Sequence, residues 1–282
     1  MEDNISVVAN GFLAGNSLQE IIEVYLGDIV GDRIYEKFGI EFPLLVKFID
    51  ANDKLSIQVH PGDELAGKLH KAYGKTEMWY VVEAEEGAEL INGFNRQLDE
   101  KTYLRSLEHK TLPDILNFEK VKAGDVFFIP AGRVHALLPG ILLAEIQQTS
   151  DITYRIYDWD RVDDKGKPRQ LHKDLALQAL DYNLYDNYRT ICRQELNKTA
   201  QLIDCPYFTT NLLDFDRTVE KDFNFIDSFV IYMCMQGAYN MYYNDNEIIN
   251  IKKGESVLVP AVIKNITLAP VTHSRILEIY IK

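Results

Sequence analysis

The stretch G-D-V-F-F-I-P-A-G-R-V-H, residues 124–135, places an apolar run, a tight bend and a histidine in direct succession. Residues 126–129 predict a strand, and a bend is expected after it because Pro130 fixes φ while Gly132 tolerates positive φ. His135 follows this bend. A single histidine is weak evidence for a metal ligand, so its importance depends on other residues that could converge on it.

Three further residues of ligand type lie upstream. Gln58 and His60 are two apart in L-S-I-Q-V-H-P, and Glu77 lies in G-K-T-E-M-W-Y. Residues i and i+2 of a strand share a face, so Gln58 and His60 can point to one place. Two imidazoles, one carboxylate and an amide oxygen suit a divalent metal such as zinc.

Composition restricts the class of protein. The 282 residues are enough for one large or two medium domains, and 46% hydrophobic content is typical of a globular chain. A net charge of −13 argues against a broad surface for nucleic acid or anionic membrane. A negatively charged small substrate would therefore need a local cationic pocket.

Cysteine usage and the first residues favour a cytoplasmic protein. Cys192, Cys205 and Cys234 are widely spaced and form no C-x-x-C motif, so neither a disulfide framework nor a thiolate metal site is indicated. The start, M-E-D-N, lacks the basic and apolar regions of a signal peptide, and no run is long enough to span a membrane. We expect a soluble monomer or weak homodimer without nucleic-acid or membrane partners.

Local patterns predict a β-rich chain with helices at two places. Ser17 and Glu20 form a capping-box pattern that predicts a helix over residues 17–26. Residues 89–94 predict a strand that ends in a turn at Asn92-Gly93. Two helical patterns within residues 97–117 predict a helical insertion.

An internal repeat predicts two copies of one small β-barrel. K-A-G-D-V-F-F-I-P-A at residues 122–131 recurs as K-K-G-E-S-V-L-V-P-A at 252–261, and the segment that starts at Glu77 resembles the one that starts at Asp227. Chance similarity of short strand-turn patterns is the alternative. His135 falls opposite Asn265, and nothing like Q-V-H precedes Asp227. We therefore expect the second copy to be structural and metal-free.

The motifs resemble a known family. G-x5-P-x-G-x2-H is a cupin motif, and L-S-I-Q-V-H-P, G-K-T-E-M-W-Y, P-A-G-R-V-H-A-L and E-I-Q-Q-T-S-D-I-T-Y-R-I-Y-D-W-D-R closely resemble the short bacterial form of type I mannose-6-phosphate isomerases. The resemblance implies a mainly β fold of two cupin jelly-roll barrels. It places the catalytic domain at residues 1–190 and the degenerate domain at 191–282.

The same resemblance implies an active site. One zinc ion per chain would be held by Gln58, His60, Glu77 and His135. It implies further residues that act in catalysis (Arg155, Lys75 and Glu145) and residues that bind substrate (Lys47, Ser56 and Asp151). The six histidines of the chain include four without converging partners in the sequence, which we interpret as surface or structural: His70, His109, His172 and His273.

The implied reaction, in carbohydrate metabolism, interconverts mannose 6-phosphate and fructose 6-phosphate through an enediol(ate). Lys75, two residues before a metal ligand, is a candidate proton carrier, and a solvated loop lysine is the alternative. Glu145 is the competing base. The planar guanidinium of Arg155 suits either the phosphate or the reacting oxygens, and the resemblance favours the second role.

Two other functions stay open from the sequence. A non-haem iron cupin oxygenase would use similar ligands. A non-catalytic cupin that binds sugar phosphates is the second alternative, because members of the family usually begin with a further segment containing a W-G-G turn and an E-S-W-E-I-S strand, and this sequence starts after it. Loss of that strand predicts an exposed sheet edge.

Overall fold

The computed structural model describes residues 5–244 and 247–282, and they form two compact units. Leu44–Thr190 makes up the central unit; residues 5–43 together with Ile191–Lys282 make up the terminal unit. The sequence placed residues 1–190 in one domain. The division after residue 190 is the same, but residues 5–43 group with the second part of the chain instead, and residues 1–4 lie outside the described part.

Helices in the first part of the terminal unit explain this grouping: α1 (Leu18–Tyr25), α2 (Gly27–Val30) and α3 (Asp32–Phe38). The predicted capping box at Ser17 and Glu20 is confirmed at the start of α1. The carbonyl of Val30 accepts a hydrogen bond from Phe229 N, and the Asp227 carboxylate accepts from the backbone of Asp32 and Arg33. These contacts join residues that are far apart in the sequence, so no local sequence pattern predicts them.

The central unit is built mainly of strands, with its helices in the connections. Its strands are β1 (Leu44–Ala51), β2 (Ile57–Val59), β3 (Glu77–Ala84), β4 (Glu89–Phe94), β5 (Leu116–Lys120), β6 (Val126–Ile129), β7 (His135–Leu137), β8 (Ile141–Gln148), β9 (Tyr154–Tyr157) and β10 (Arg189–Thr190). Its helices are α4 (Asp63–His70), α5 (Glu100–Glu108), a 3-10 helix (Leu112–Ile115) and α6 (Lys173–Ala179).

These strands form two antiparallel sheets, in the orders β1-β8-β3-β6-β10 and β5-β4-β7-β2-β9. Apolar residues of both sheets pack together; Trp79, Phe127 and Leu143 come from the first sheet, and Leu90 and Leu137 from the second. Burial of such a shared face is the main stabilising contribution, at roughly 25 cal/mol per Å² of apolar surface. The predicted helical insertion lies between β4 and β5.

The predicted turn at Asn92-Gly93 is wrong, because both residues lie inside β4. A β-bulge interrupts the pairing of β4 with β5 at this point, and Gly93 has a φ of 78°. A Cβ atom on Gly93 would come within 2.3 Å of the Tyr188 ring. Glycine is therefore needed for a positive φ and a close approach within a strand, a pattern that also resembles a hairpin turn.

The terminal unit repeats much of this arrangement. Its strands are β11 (Thr199–Asp204), β12 (Thr209–Phe215), β13 (Val219–Asp222), β14 (Val230–Gln236), β15 (Ala238–Tyr243), β16 (Glu247–Lys252), β17 (Ser256–Val259), β18 (Asn265–Pro270) and β19 (Ser274–Tyr280). They form sheets in the orders β11-β12-β19-β14-β17 and β13-β18-β15-β16. Apolar residues of both sheets again share one core, which includes Tyr232, Met241 and Leu268.

The strand orders match between the units. The row β1-β8-β3-β6 corresponds to β12-β19-β14-β17, and β5-β4-β7-β2 corresponds to β16-β15-β18-β13. The arrangement is mainly β, as predicted, and is compatible with two jelly-roll barrels. Within the described residues, neither unit contains a helix long and apolar enough to cross a membrane.

Register corrects one pairing made from the sequence. The segment from Glu77 was paired with the segment from Asp227, but Glu77 lies opposite Ile129 in β6, and Val230 lies opposite Val259 in β17. Val230 is therefore the counterpart of Glu77. The sequence comparison followed the turn glycines Gly87 and Gly237, which do not keep the strand register.

Candidate metal centre

Three strands and the bend of residues 130–132 bring His60, Glu77 and His135 together. His60 directly follows β2, Glu77 begins β3 and His135 begins β7. The N–H of Gly132, whose φ is 90°, donates to the carbonyl of His60, so the bend is tied to the end of β2. One ligand atom from each of the three residues lies within 4.8 Å of the other two.

The distances between these atoms fit a bound cation. His60 Nε2 is 3.3 Å from Glu77 Oε1, and His135 Nε2 is 3.7 Å from Glu77 Oε2. Tetrahedral zinc with bonds of about 2.0–2.1 Å separates its ligand atoms by roughly 3.4 Å. The observed spacing is therefore that of atoms that share one ion.

Both histidines present a lone pair to the centre. His60 Nδ1 lies 2.9 Å from the carbonyl of Ile152, and His135 Nδ1 lies 2.9 Å from the carbonyl of Arg133. A carbonyl only accepts, so each Nδ1 carries the hydrogen and each Nε2 is left as an acceptor. An acceptor nitrogen that faces a carboxylate oxygen needs a cation between them.

Burial makes this need stronger. His60, Glu77 and His135 are each at most 1% exposed. His60 Nε2 and both carboxylate oxygens of Glu77 have no hydrogen-bond partner in the described chain. Buried polar atoms are nearly always satisfied, so these orphaned acceptors fit a metal ion.

The protonation states agree with ligand roles. Burial lowers the pKa of His60 to about 4, against the opposing charge of Glu77. Burial also lowers the pKa of His135. For Glu77, burial alone would raise the pKa, but positive charge next to the carboxylate, Lys75 included, holds the pKa below its usual range. Neutral imidazoles and an ionised carboxylate are the forms that bind a metal.

Gln58 lies beside the three residues. It is half-buried in β2, directly opposite His135 in the sheet, and its Nε2 is 3.3 Å from His135 Nε2. Rotation of the amide by 180° would bring its oxygen to this position, where it could serve as a fourth ligand.

A row of charged and polar side chains continues from the centre across the first sheet. Lys75 is buried, and its Nζ lies 3.4 Å from Glu77 Oε1. Glu145 accepts from Lys47 Nζ and from Trp79 Nε1, each at 2.9 Å. This row contains three of the predicted site residues: Lys47, Lys75 and Glu145.

Arg155 lies in β9, opposite Gln58 of β2. Its Nη1 donates to the carbonyl of Gln170 at 2.9 Å, while its buried Nε has no partner among the described residues. Burial and the neighbouring charges of Arg169 and Arg161 lower the pKa of Arg155, and Asp158 opposes them. Positive charge is thus concentrated one strand away from Gln58, in a protein that is acidic overall.

The remaining predicted residues differ in environment. Ser56 is buried directly before β2, which places it two residues from Gln58. Asp151 is exposed in the connection between β8 and β9. Its role as a substrate-binding residue stays a prediction.

Some residues of this region escaped the sequence analysis. Gln147 accepts from Lys47 Nζ at 2.6 Å and is fully buried; its spacing of two from Glu145 on a strand was an available signal. Asp158 is buried and binds Arg161 Nη2 at 2.7 Å. His172 contacts Arg155, and His70 lies 2.7 Å from the hydroxyl of Tyr154, so both have partners that only the folded chain provides.

Comparisons with known proteins agree with this picture. A family model described as phosphomannose isomerase type I, catalytic domain, matches residues 4–94, which include Gln58, His60 and Glu77. The chain is 35% identical over 262 residues to mannose-6-phosphate isomerase ManA of Bacillus subtilis, covering 90% of this chain and 79% of the relative. It is 34% identical over 265 residues to mannose-6-phosphate isomerase of Streptococcus mutans, covering 93% and 81%.

Solved structures are similar as well. The crystal structure of mannose 6-phosphate isomerase from Bacillus subtilis superposes with a TM-score of 0.86 at 30% identity, covering 98% of this chain and 86% of that one. A solved structure from Archaeoglobus fulgidus gives a TM-score of 0.74 at 21% identity, covering 95% of this chain and 80% of that one, which shows similarity of fold.

Proposed function

The chain belongs to the type I phosphomannose isomerases, and we propose that it interconverts mannose 6-phosphate and fructose 6-phosphate at a zinc ion held by Gln58, His60, Glu77 and His135. The observation that carries the proposal is the buried His-Glu-His group, whose facing acceptors need a cation. Its four candidate ligands are the residues that the family resemblance implies.

Zinc fits the donor set, and the reaction does not require a redox-active metal. Isomerisation moves a proton and leaves the oxidation state of the molecule as a whole unchanged. Bound zinc would supply Lewis-acid stabilisation for the negative charge that develops on O1 and O2. The lone pairs of both histidines are already oriented by the carbonyls of Ile152 and Arg133, so little reorganisation is needed for binding.

Lys75 is our candidate for the proton carrier between C1 and C2. Its ammonium group lies beside Glu77, close to the proposed metal position, and its side chain is buried. As an amine it accepts a proton and as an ammonium it donates one, so one group can serve both carbons. Glu145 is the competing carrier, but both of its oxygens already accept hydrogen bonds from Lys47 and Trp79.

Arg155 is proposed to stabilise the charge of the enediolate. Arg155 is half-buried, and its guanidinium carries further N–H donors for substrate oxygens besides the one that Nη1 gives to Gln170. Arg161 and Arg169 add positive charge near Arg155, which favours the approach of a phosphorylated sugar to a chain with a net charge of −13. Lys47 and Ser56 are proposed to contact the sugar.

Turnover and metal content test the proposal together. Purified protein should form fructose 6-phosphate from mannose 6-phosphate, contain close to one zinc ion per chain, lose activity on chelation and regain it with zinc. Bound iron with oxygen uptake and no isomerisation would instead support an oxygenase. Metal and substrate binding without turnover would support a non-catalytic cupin. The cytoplasmic location, the predicted oligomeric state and the absence of nucleic-acid and membrane partners stay predictions.

A further inference from the structure

The outer edge of β9 is completed by a histidine instead of a strand. Arg155 presents both backbone groups away from β2: its carbonyl accepts from the backbone N–H of His172 at 2.7 Å, and its N–H donates to the Nδ1 of the His172 ring at 3.1 Å. In a regular ladder the second acceptor would be a carbonyl of the neighbouring strand. Here an imidazole nitrogen takes that place.

The same short segment also fixes the side chain of Arg155. The carbonyl of Gln170 accepts from Nη1 at 2.9 Å, while Nε stays without a partner in the described chain. Segment 170–172 therefore makes three hydrogen bonds to one arginine, two to its backbone and one to its guanidinium. The other donors of the guanidinium are left for another group.

His172 must be neutral to act in this way, with its hydrogen on Nε2. Burial and the charge of Arg155 both lower the pKa of His172, which favours the neutral ring. The ring also lies against Tyr154 of β9, with 6.5 Å between ring centroids, and the hydroxyl of Tyr154 is engaged by His70. Although His172 precedes α6, its side chain makes no capping bond to that helix, so its polar contact is directed to Arg155.

We propose that His172 is a positioning residue for isomerisation, acting with the Gln170 carbonyl to hold Arg155 opposite Gln58 so that the rest of its guanidinium remains available to the reacting oxygens. This inference rests on the proposed function, because it assigns Arg155 its role there. His172 itself touches neither the proposed metal position nor the substrate. A displaced guanidinium loses orientation, and misplacement of a catalytic group by about 1 Å can lower a rate about 100-fold.

Two substitutions at this position separate the hydrogen bond from the ring. His172→Ala removes the acceptor, whereas His172→Asn keeps an oxygen acceptor near the position of Nδ1. We expect kcat to fall about 10-fold to 100-fold in His172→Ala, with KM changed by less than about threefold. His172→Asn should stay within about threefold of the unsubstituted protein. His109→Ala, an exposed histidine of the same unit, is the matched control and should change neither value.

A double-substitution cycle tests whether His172 acts through Arg155. In an Arg155→Ala background, His172→Ala should have little further effect on kcat, because the group that it positions is gone. Independent losses that multiply in the double variant would assign His172 a general structural role and overturn the proposal. Zinc content should be equal in all variants.

Amide hydrogen exchange provides a readout that does not depend on turnover. The amide of Arg155 should exchange at least about tenfold faster in His172→Ala than in His172→Asn. Equal exchange would overturn the proposal whatever the activity, and so would an unchanged kcat in an active His172→Ala variant. If the unsubstituted, zinc-loaded protein fails to turn over mannose 6-phosphate, the proposed function fails and the catalytic role of His172 falls with it, while the exchange result still decides whether the hydrogen bond exists.

Discussion

The central and terminal units build the same rows of strands but place different residues at the metal position. Register pairs Gln58 with His135 in the central unit and Asp222 with Asn265 in the terminal unit, so these positions correspond. His60 lies two residues after Gln58, as Asn224 lies two residues after Asp222, and Glu77 and Val230 hold equivalent places in β3 and β14. The counterparts of Gln58, His60, Glu77 and His135 are Asp222, Asn224, Val230 and Asn265.

Burial differs as much as chemistry. The histidines and the glutamate of the central unit are buried, whereas Asp222, Asn224 and Asn265 are exposed. Asn224 Nδ2 instead donates to the Asp222 carboxylate at 2.7 Å, which satisfies both side chains locally. The bend before the ligand position is present in both units, since Pro130 and Pro260 occupy equivalent places. The bend therefore belongs to the scaffold, and the ligands are an addition to it.

The largest expected effect comes from the ligand position itself. His135→Ala should remove zinc binding and lower turnover by at least about four orders of magnitude, because one of two imidazoles is lost from a buried site. Its matched control is Asn265→Ala, the equivalent exposed position of the terminal unit. Metal analysis of the dialysed proteins, followed by an isomerase assay, measures both effects.

Similar behaviour of the two variants would contradict the different roles of the two positions. Stoichiometric zinc in His135→Ala would remove His135 from the ligand set. Loss of zinc in Asn265→Ala would mean that the terminal unit also contributes to metal binding.

Much of the candidate metal centre could be predicted from the sequence, because short local patterns place its residues. The spacing of Gln58 and His60 places them on one face of a strand, and Pro130 and Gly132 predict the bend before His135. Glu77 follows as the first residue of a β-branched and aromatic run. The position of each of these residues follows from the strand or bend that contains it.

Other features depend on contacts between distant segments and could not be predicted. His172 completes the edge of β9 from the far side of a turn-rich connection, and nothing in its neighbours signals this contact. Residues 5–43 were assigned to the wrong part of the chain for the same reason, since their partners are Phe229 and Asp227. The strand β9, which carries Arg155, has no counterpart in the described sheets of the terminal unit, so the repeat could not locate it either.

Each unit contains a buried carboxylate at an equivalent place in its sheet. Glu145 lies between Lys47 and Trp79 in one sheet, and Glu278 lies between Asn211 and Tyr232 at the equivalent place in the other. Glu278 accepts from Asn211 Nδ2 at 3.0 Å and from Tyr232 Oη at 2.6 Å, and it pairs with Lys221 at 2.7 Å. Glu145 is linked to the candidate metal centre through Trp79, whose ring centroid lies 5.3 Å from that of His135. Glu278 instead takes part in a hydrogen-bond network with Asn211 and Tyr232.

Glu278→Gln should therefore change stability and leave chemistry unchanged. It removes the charge that the nearly buried Lys221 requires, so we expect the free energy of unfolding to fall by about 3 kcal/mol. Zinc content and kcat of the folded protein should be retained. Urea unfolding and an isomerase assay measure the two properties.

Glu145→Gln is the matching variant in the central unit, and it should affect turnover more than stability. Lys47 is about one-third exposed, so water partly compensates the lost ion pair and the stability change should be smaller. Turnover should fall about 100-fold if Glu145 takes part in proton transfer or holds a substrate hydroxyl. Unchanged turnover in Glu145→Gln would show that the two carboxylates serve the fold alike.

The smallest expected effect is a pH dependence that only the central unit should show. The pKa of His60 in the folded protein is about 4, below the ordinary value of 6.5 that applies to the unfolded chain. Between these values the unfolded chain binds more protons, so the free energy of unfolding falls as the pH falls through this window. From pH 7 to pH 5, the metal-free protein should lose about 2 kcal/mol through His60. Asn224, its counterpart, does not titrate.

Amide hydrogen exchange of the metal-free protein, corrected for the intrinsic pH dependence of exchange, locates the effect. Protection should decrease at pH 5 in β2 and β7 more than in β13 and β18, because the buried histidines lie beside the first pair of strands. His60→Asn should flatten the dependence of the central unit, since a neutral amide replaces the titrating ring. Equal losses in both units, or an unaltered slope in His60→Asn, would assign the acid sensitivity to carboxylates that both units contain, and the ligand position would no longer distinguish them in stability.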